Sequence, residues 1–297
     1  MPRTKWLPMA ALLFACALTA CIPLASLEAR SITWSRAEDA PTLDPHALDT
    51  GVAMSLVQQI YEPLLLRDAQ GKTVPALAES WNLTSNPLVW EFRLRRGVMF
   101  HDGGPFTAED VVFSLERARQ PGSGMSGLVG AIDKVVPVDS HLLQTHTRAP
   151  TPLLPASLNH LLIMSKAWSE KHGVTRVAGP AARAGASTFR NANGTGPFVL
   201  VSREIGSRTV LRRNDGYWAH PQTPVEVTEL IYRPIANDTE RVQALVSGEV
   251  DFMQDVPVNE LPRLQANKAL AVNVGPQNRS VFLGLNVGAA ELASSNI

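Results

Sequence analysis

The thirty residues from Val89 to Ala118 leave this chain little choice of fold class. In Val89–Arg95, Trp90, Phe92 and Leu94 alternate with Glu91, Arg93 and Arg95, which predicts a strand with one apolar and one charged face. The charged face, Arg93 and Arg95 included, is expected to be solvated. Thr107 and Asp110 then fit a capping box, with the Thr107 hydroxyl accepting from a free amide and Asp110 reaching back. Val111, Val112, Leu115 and Ala118 follow at helical spacing. A strand and a capped amphipathic helix this close together exclude an all-helical bundle and an all-β sandwich. The mixture recurs along the chain without regular βα alternation, so the expected class is α/β in the mixed α+β sense.

Ser31–Arg36, Leu64–Arg67, Trp81–Leu83, Ile132–Val138, His141–Thr147, Phe198–Ser202, Thr209–Arg212 and Val227–Pro234 read as strands. So do Leu270–Val274 and Val281–Asn286. Asp68–Gly71 reads as a hairpin turn. Val52–Ile60 carries apolar residues at helical spacing, with Pro63 as its expected stop. Ser165–His172 and Pro257–Gln265 read as short helices. Asn237 caps another, which Gly248 closes. Pro121–Gly130 holds four glycines and reads as a loop, and residues 179–196 as a connection. The tryptophans are read as core.

The N-terminus reads as an export leader. Arg3 and Lys5 precede an apolar run, Leu7 to Ala20, of 14 residues, short of the about 20 that a spanning helix needs. Leu18-Thr19-Ala20-Cys21 resembles a bacterial lipobox, which would make Cys21 the lipidation site; an ordinary signal peptide cut near Ala25 or Ala29 is the alternative. Beyond Cys21 the sequence has no cysteine, which excludes disulfides and thiolate chemistry there. Lys+Arg and Asp+Glu balance at 27 each, so there is no basic excess for nucleic acid.

Catalytic constellations are sought and not found. Gly122-Ser123-Gly124-Met125-Ser126-Gly127 matches a dinucleotide fingerprint but follows a helix and a proline, where the phosphate-binding geometry cannot form. The seven histidines form no H-x-x-x-H pair. His101-Asp102 reads as a turn with an Asx hydrogen bond rather than a catalytic dyad. An exported chain without such groups is expected to bind rather than to catalyse, with no cofactor.

Several segments together resemble the family 5 extracellular solute-binding proteins of ABC transporters, the dipeptide, oligopeptide and nickel class. They are Ala78-Glu79-Ser80-Trp81; Trp90 through Asp102-Gly103; Pro105-Phe106-Thr107-Ala108-Glu109-Asp110-Val111-Val112; Gly194-Thr195-Gly196-Pro197-Phe198; Asn214-Asp215-Gly216-Tyr217-Trp218; Gly248-Glu249-Val250-Asp251; and Val281–Asn286. The resemblance covers about residues 31 to 287. It implies a two-lobed type II periplasmic binding protein: residues 31–60 and 187–286 in lobe I, 61–186 in a smaller inserted domain, residues 1–30 as leader, and 287–297 as the start of a second lobe that is otherwise absent. It implies a truncated importer component that captures a small peptide for membrane permease subunits and is periplasmic, monomeric and without a catalytic step. Asp49, Thr50 and Gly51 would lie where the family touches ligand backbone, and the glycine loop at Met125 near the cleft mouth. The alternatives are a nickel or metallophore binder, for which His46 and His101 would matter, and an extracytoplasmic hydrolase or chaperone-like protein. An exposed apolar patch is expected where the absent lobe would pack.

Overall fold

The computed structural model describes residues 30–179, 181–221 and 224–275. The leader with Cys21, the strand expected at Val281–Asn286 and residues 287–297 lie outside the described residues. In chain order the elements are β1 (Ser31–Arg36), α1 (Gly51–Val57), β2 (Leu65–Arg67), β3 (Thr73–Pro75), β4 (Ala78–Leu83), β5 (Val89–Leu94), α2 (Ala108–Ala118), α3 (Ser126–Val129), β6 (Ile132–Asp139), β7 (Leu142–Thr147), α4 (Leu154–Ser157), α5 (Lys166–Lys171), β8 (Phe198–Glu204), β9 (Arg208–Arg213), β10 (Glu229–Pro234), α6 (Asp238–Ser247), β11 (Phe252–Met253) and α7 (Leu261–Ala266).

Three sheets organise them. The largest is mixed, in the order β11-β1-β10-β9-β8. β10 and β11 flank β1, both parallel to it; β9 pairs antiparallel with β10, and β8 antiparallel with β9. β10, α6 and β11 thus make a crossover that passes over β1. The second sheet is antiparallel, β4-β5-β7-β6, and β2-β3 form a small hairpin. Asp68 builds the hairpin turn: its carboxylate accepts from the Gln70 and Lys72 amides, and Gly71 takes φ +83, a conformation that favours glycine. Strands of the mixed sheet come from residues 31–36 and 198–253, and those of the other two from 65–147.

One hydrophobic core joins these layers. Leu211 and Tyr232 from the mixed sheet, Phe92 and Leu143 from the antiparallel sheet, Leu56, Val111 and Leu115 from the helices, and Ile60 just past α1 are all fully buried. Each such side chain stabilises the fold by about 1.5–3 kcal/mol relative to exposure. A satellite cluster of Val242, Met253 and Leu264 sits under α6 and α7.

Several expectations need correction. Helix α1 stops at Gln58, well before Pro63. Gln59 and Ile60 tighten into i→i+3 turns, which leaves the Gln59 and Ile60 carbonyls free to accept from the Phe198 and Gly196 amides. The glycine loop contains one helical turn, α3, anchored by the buried Met125 and Val129. Residues 270–274 form no strand; Leu270 and Val272 pack on the satellite cluster instead. Arg95 does not share the solvated face with Arg93. It falls just past β5, where its guanidinium stacks 4.2 Å from the Trp218 ring centroid and its Nε donates to the Ala76 carbonyl. The α2 capping box, by contrast, forms as expected: the Thr107 side chain faces the Asp110 amide, and the Asp110 carboxylate accepts from the Thr107 amide and also from its hydroxyl.

Candidate functional site

Ligands of open α/β sheets sit beyond the carboxyl ends of parallel strands. Here that edge is formed by β1, β10 and β11. Arg36 ends β1 and locks the edge together. Its Nε and Nη2 donate to the two carboxylate oxygens of Asp255 at 2.9 and 3.0 Å. Its Nη1 donates to the Gly51 carbonyl at 3.0 Å and the Ser55 hydroxyl at 2.9 Å. A bidentate guanidinium–carboxylate pair fixes orientation as well as charge. The paired Asp255 holds the Arg36 pKa above its ordinary value, and Arg36 in turn holds the Asp255 carboxyl below the usual range. Asp255 has φ +57, the single positive value at a non-glycine among the described residues. Such backbone persists where its surroundings over-determine it.

The Asp49-Thr50-Gly51 segment lies against this lock. Thr50 caps α1, its hydroxyl accepting from the Ala53 amide at 3.4 Å. All three residues are exposed, and a Cβ added at Gly51 would meet nothing within 4 Å. Their backbone is open to an approaching chain while the Gly51 carbonyl is pinned from behind.

The glycine loop meets the same segment. The Ser123 hydroxyl and the Gly124 amide both donate to the His46 carbonyl at 3.0 Å. A Cβ at Gly124 would stand 3.0 Å from the Asp49 nitrogen, so a side chain there would press on the Leu48–Asp49 backbone. The structure therefore brings the two candidate segments together. The side chain of Met125 is a correction, however: it is fully buried in the main core and presents nothing to solvent. The exposed residues of the loop are Pro121, Gly122, Gly124, Ser126, Gly127 and Gly130.

Beneath these loops lies a buried ionic cluster the sequence did not reveal. Arg117 on α2 donates from Nη1 and Nη2 to the two oxygens of Asp44 at 2.8 and 2.5 Å, with side-chain exposures of 0% and 2%. Asp44 also accepts from the His46 amide and the Thr188 hydroxyl. Burial alone would raise the Asp44 pKa, but the Arg117 hydrogen bonds and charge outweigh it and hold it below the ordinary value. His46 is fully buried with Nε2 at 2.8 Å from the Leu162 carbonyl, and burial with the nearby Arg117 charge drives its pKa down to about 4.

A second buried carboxylate, Glu62, also escaped the sequence reading. It accepts from the Thr195 hydroxyl at 2.8 Å, the Tyr217 hydroxyl at 2.7 Å and the Trp218 indole at 2.9 Å. Burial raises its pKa, and the three hydrogen bonds oppose that without cancelling it. Gly194 and Gly196 pack on the same strip: a Cβ on Gly194 would stand 2.0 Å from the Ile60 oxygen. His101 closes the knot. Its amide donates to the Gly194 carbonyl at 2.9 Å, Nε2 lies 3.0 Å from the Gly196 carbonyl, and Nδ1 accepts from the Gly194 amide at 3.4 Å. The Asx turn appears as expected, with Gly104 donating to Asp102. The Nε2 of each imidazole is engaged by a backbone carbonyl, and among the described residues no group of three or more His, Cys, Asp or Glu side chains could hold a metal ion.

Comparison with known proteins follows this geometry. Residues 72–297 match the family described as "Bacterial extracellular solute-binding proteins, family 5 Middle". The chain is 26% identical over 294 residues to the periplasmic oligopeptide-binding protein OppA of Escherichia coli strain K12, covering 91% of this chain and 52% of that protein. It is 26% identical over 273 residues to the glutathione-binding protein GsiB of Escherichia coli O1:K1 / APEC, covering 91% and 51%. Its fold superposes on the periplasmic binding protein DppA from Helicobacter pylori in complex with peptide STSA with a TM-score of 0.69 and 25% identity, covering 80% of this chain and 49% of that one. The fold is thus the mixed α/β fold of type II periplasmic binding proteins. The chain spans about half the length of the curated relatives it matches.

Proposed function

We propose that this chain, which belongs to the family 5 bacterial extracellular solute-binding proteins, is a peptide-gripping component of an ABC importer, facing the periplasm and performing no chemical step. The observation that carries the reading is the carboxyl edge of the parallel strands. Arg36, Asp255 and Ser55 immobilise the Gly51 carbonyl, while the backbone of Asp49–Gly51 stays open. A peptide's amides need hydrogen-bond partners when they leave water, at about 1–3 kcal/mol for each one left unpaired. An exposed, rigidly backed stretch of backbone supplies such partners. Relatives that carry peptide in their printed names support the ligand class.

We read residues 31–60 and 187–286 as one lobe and 61–186 as a smaller domain packed on it, a division that follows the membership of the sheets. Coverage of about half of each relative supports reading the described residues as one lobe of a two-lobed binder, with ligand gripped between lobes and handed to permease subunits. Anchoring through a lipid on Cys21 and a monomeric state belong to the same reading.

Amide-resolved NMR of the 297-residue protein, titrated with di- to pentapeptides, tests it. The expected result is weak binding, with a Kd in the range of roughly 1 mM because one side of the grip contributes alone. The shifts should be confined to the amides of 49–51 and 122–124. Shifts confined to other regions, or none with any peptide, would overturn the assignment. Micromolar binding would overturn the one-lobe reading.

A further inference from the structure

A cavity of about 410 Å³ lies between α5 and β8, apart from the parallel-strand edge. Its walls include Trp168, His172, Arg190, Asn191, Ser202 and Arg203, and no carboxylate lines it. Trp168 and His172 stack with ring centroids 4.3 Å apart, and the His172 Nδ1 meets the Trp168 carbonyl at 2.8 Å, so the imidazole is fixed as one wall.

The charge here is under-compensated. The Arg203 side chain is completely buried. Its nearest carboxylate is Asp39, at 3.4 Å from Nη2, a distance too long for a strong charge-assisted bond. Nη2 also donates to the Ala40 carbonyl and Nη1 to the Thr209 hydroxyl at 3.3 Å, while Nε is buried without a partner. Burial pulls the Arg203 pKa below its ordinary value, and the neighbouring Arg190 charge adds to that. Arg190 is exposed, and among the described residues it makes no ion pair. An unpartnered donor on a buried cation is costly unless something supplies an acceptor.

We propose that the cavity between α5 and β8 is a binding site for a small oxyanion, a phosphate or a compact carboxylate, held by Arg190 and Arg203 with the polar groups of Asn191 and Ser202 at its rim. The absence of acidic lining keeps anions from being repelled. The volume leaves room for a small oxyanion together with several waters. The site is independent of the peptide reading, because it shares no residue with the Asp49–Gly51 edge.

The test titrates the 297-residue protein with inorganic phosphate and, in a second arm, with acetate and citrate, at constant ionic strength. Calorimetry reads affinity, and the His172 ring proton resonances report location. Saturable binding should move the His172 signals, and Arg190→Gln, at an exposed position, should weaken it about tenfold or more while far-UV circular dichroism stays unchanged. Preference between the two arms identifies the oxyanion. Arg203→Met provides a second variant: a folded protein that no longer binds phosphate supports the site, and if it does not fold, Arg190→Gln with the His172 readout decides alone. No saturable binding of either anion class would overturn the proposal. So would binding that Arg190→Gln leaves intact, or that leaves the His172 resonances unmoved.

Discussion

His46 should make the stability of this protein fall on mild acidification. The imidazole is completely buried; its Nε2 lies 2.8 Å from the Leu162 carbonyl, which fixes Nε2 as the donor, and its Nδ1 is buried without a partner. Protonation would place a charge where no acceptor faces Nδ1 and where Arg117 is already cationic; Asp44 offsets this only in part. The folded pKa is therefore lowered from the ordinary 6.5 to about 4. Because the unfolded chain binds this proton more readily, the contribution of His46 is fully present above pH 6.5 and is lost as pH falls toward 4. At about 1.4 kcal/mol per pH unit, the loss across that window is about 3 kcal/mol. Glu62 and Asp110, whose carboxyls burial raises, push the other way by binding protons in the folded state. They are common to wild type and variant, so the difference between the two isolates His46. Urea unfolding followed by circular dichroism at several pH values from 7 to 4 is the assay. His46→Gln keeps a neutral donor within reach of Leu162 and should be less stable than wild type at pH 7, with the gap closing or reversing near pH 4. An acid-dependent decline of equal steepness in both proteins would refute the argument.

Two further outcomes follow from packing and charge. Gly194→Ala should cost about 3 kcal/mol or more or abolish folding, because its Cβ would stand 2.0 Å from a backbone oxygen that cannot move aside, whereas Gly127→Ala, with nothing within 4 Å, should be neutral or slightly stabilising; thermal melts of the pair check this. Arg117→Leu should destabilise by about 3–5 kcal/mol at neutral pH by leaving Asp44 buried without its counter-charge, and lowering the pH until Asp44 protonates should recover part of that loss, as read by chemical denaturation.

What the sequence disclosed was the part of the structure fixed locally. The Thr107/Asp110 pairing, the Asn237 cap, the Gly248 terminus at φ +79 and the Asp68 turn are each set by residues within about four positions, and each appeared. Partnerships across the chain were invisible. Arg117 reads as an ordinary last-turn cation of a helix, and its partner Asp44 is 73 residues away. Glu62 finds Thr195, Tyr217 and Trp218 at separations of 133, 155 and 156 residues. A faint signal did exist: Asp44 and Glu62 both stand among apolar residues and prolines, a setting that costs a carboxylate dearly unless it is paired. Met125 was misread for the opposite reason. A glycine-rich segment signals surface, yet its apolar residues Met125 and Val129 pin the loop to the core. The strand expected at 270–274 failed because alternation alone does not supply a hydrogen-bonding neighbour; Leu270 and Val272 pack partly buried on the satellite cluster without one, and Val274 stays exposed.

The same comparison explains why the family is easy to recognise in this sequence and the ligand is not. Three of the recognisable segments, those holding His101-Asp102, Gly194–Phe198 and Asn214–Trp218, meet at one place. His101 and Asp102 bind the Asn193–Gly196 strip, Asn214 donates to the Gly196 carbonyl, and Tyr217 and Trp218 reach Glu62 beside it. Each residue there is needed for shape: glycine where the chains nearly touch, an aromatic donor where a buried carboxylate must be satisfied. None of them faces the open edge formed by Asp49, Thr50 and Gly51, whose backbone would meet any peptide alike and whose side chains are free to differ. Replacing the Asp49 side chain would leave the knot at Glu62 untouched, whereas replacing Gly194 would break the fold before any ligand was met. A signature built from such a knot reports the scaffold. On the proposed reading, selection among ligands would come from the exposed side chains around Asp49–Gly51 and from the surface that closes over them.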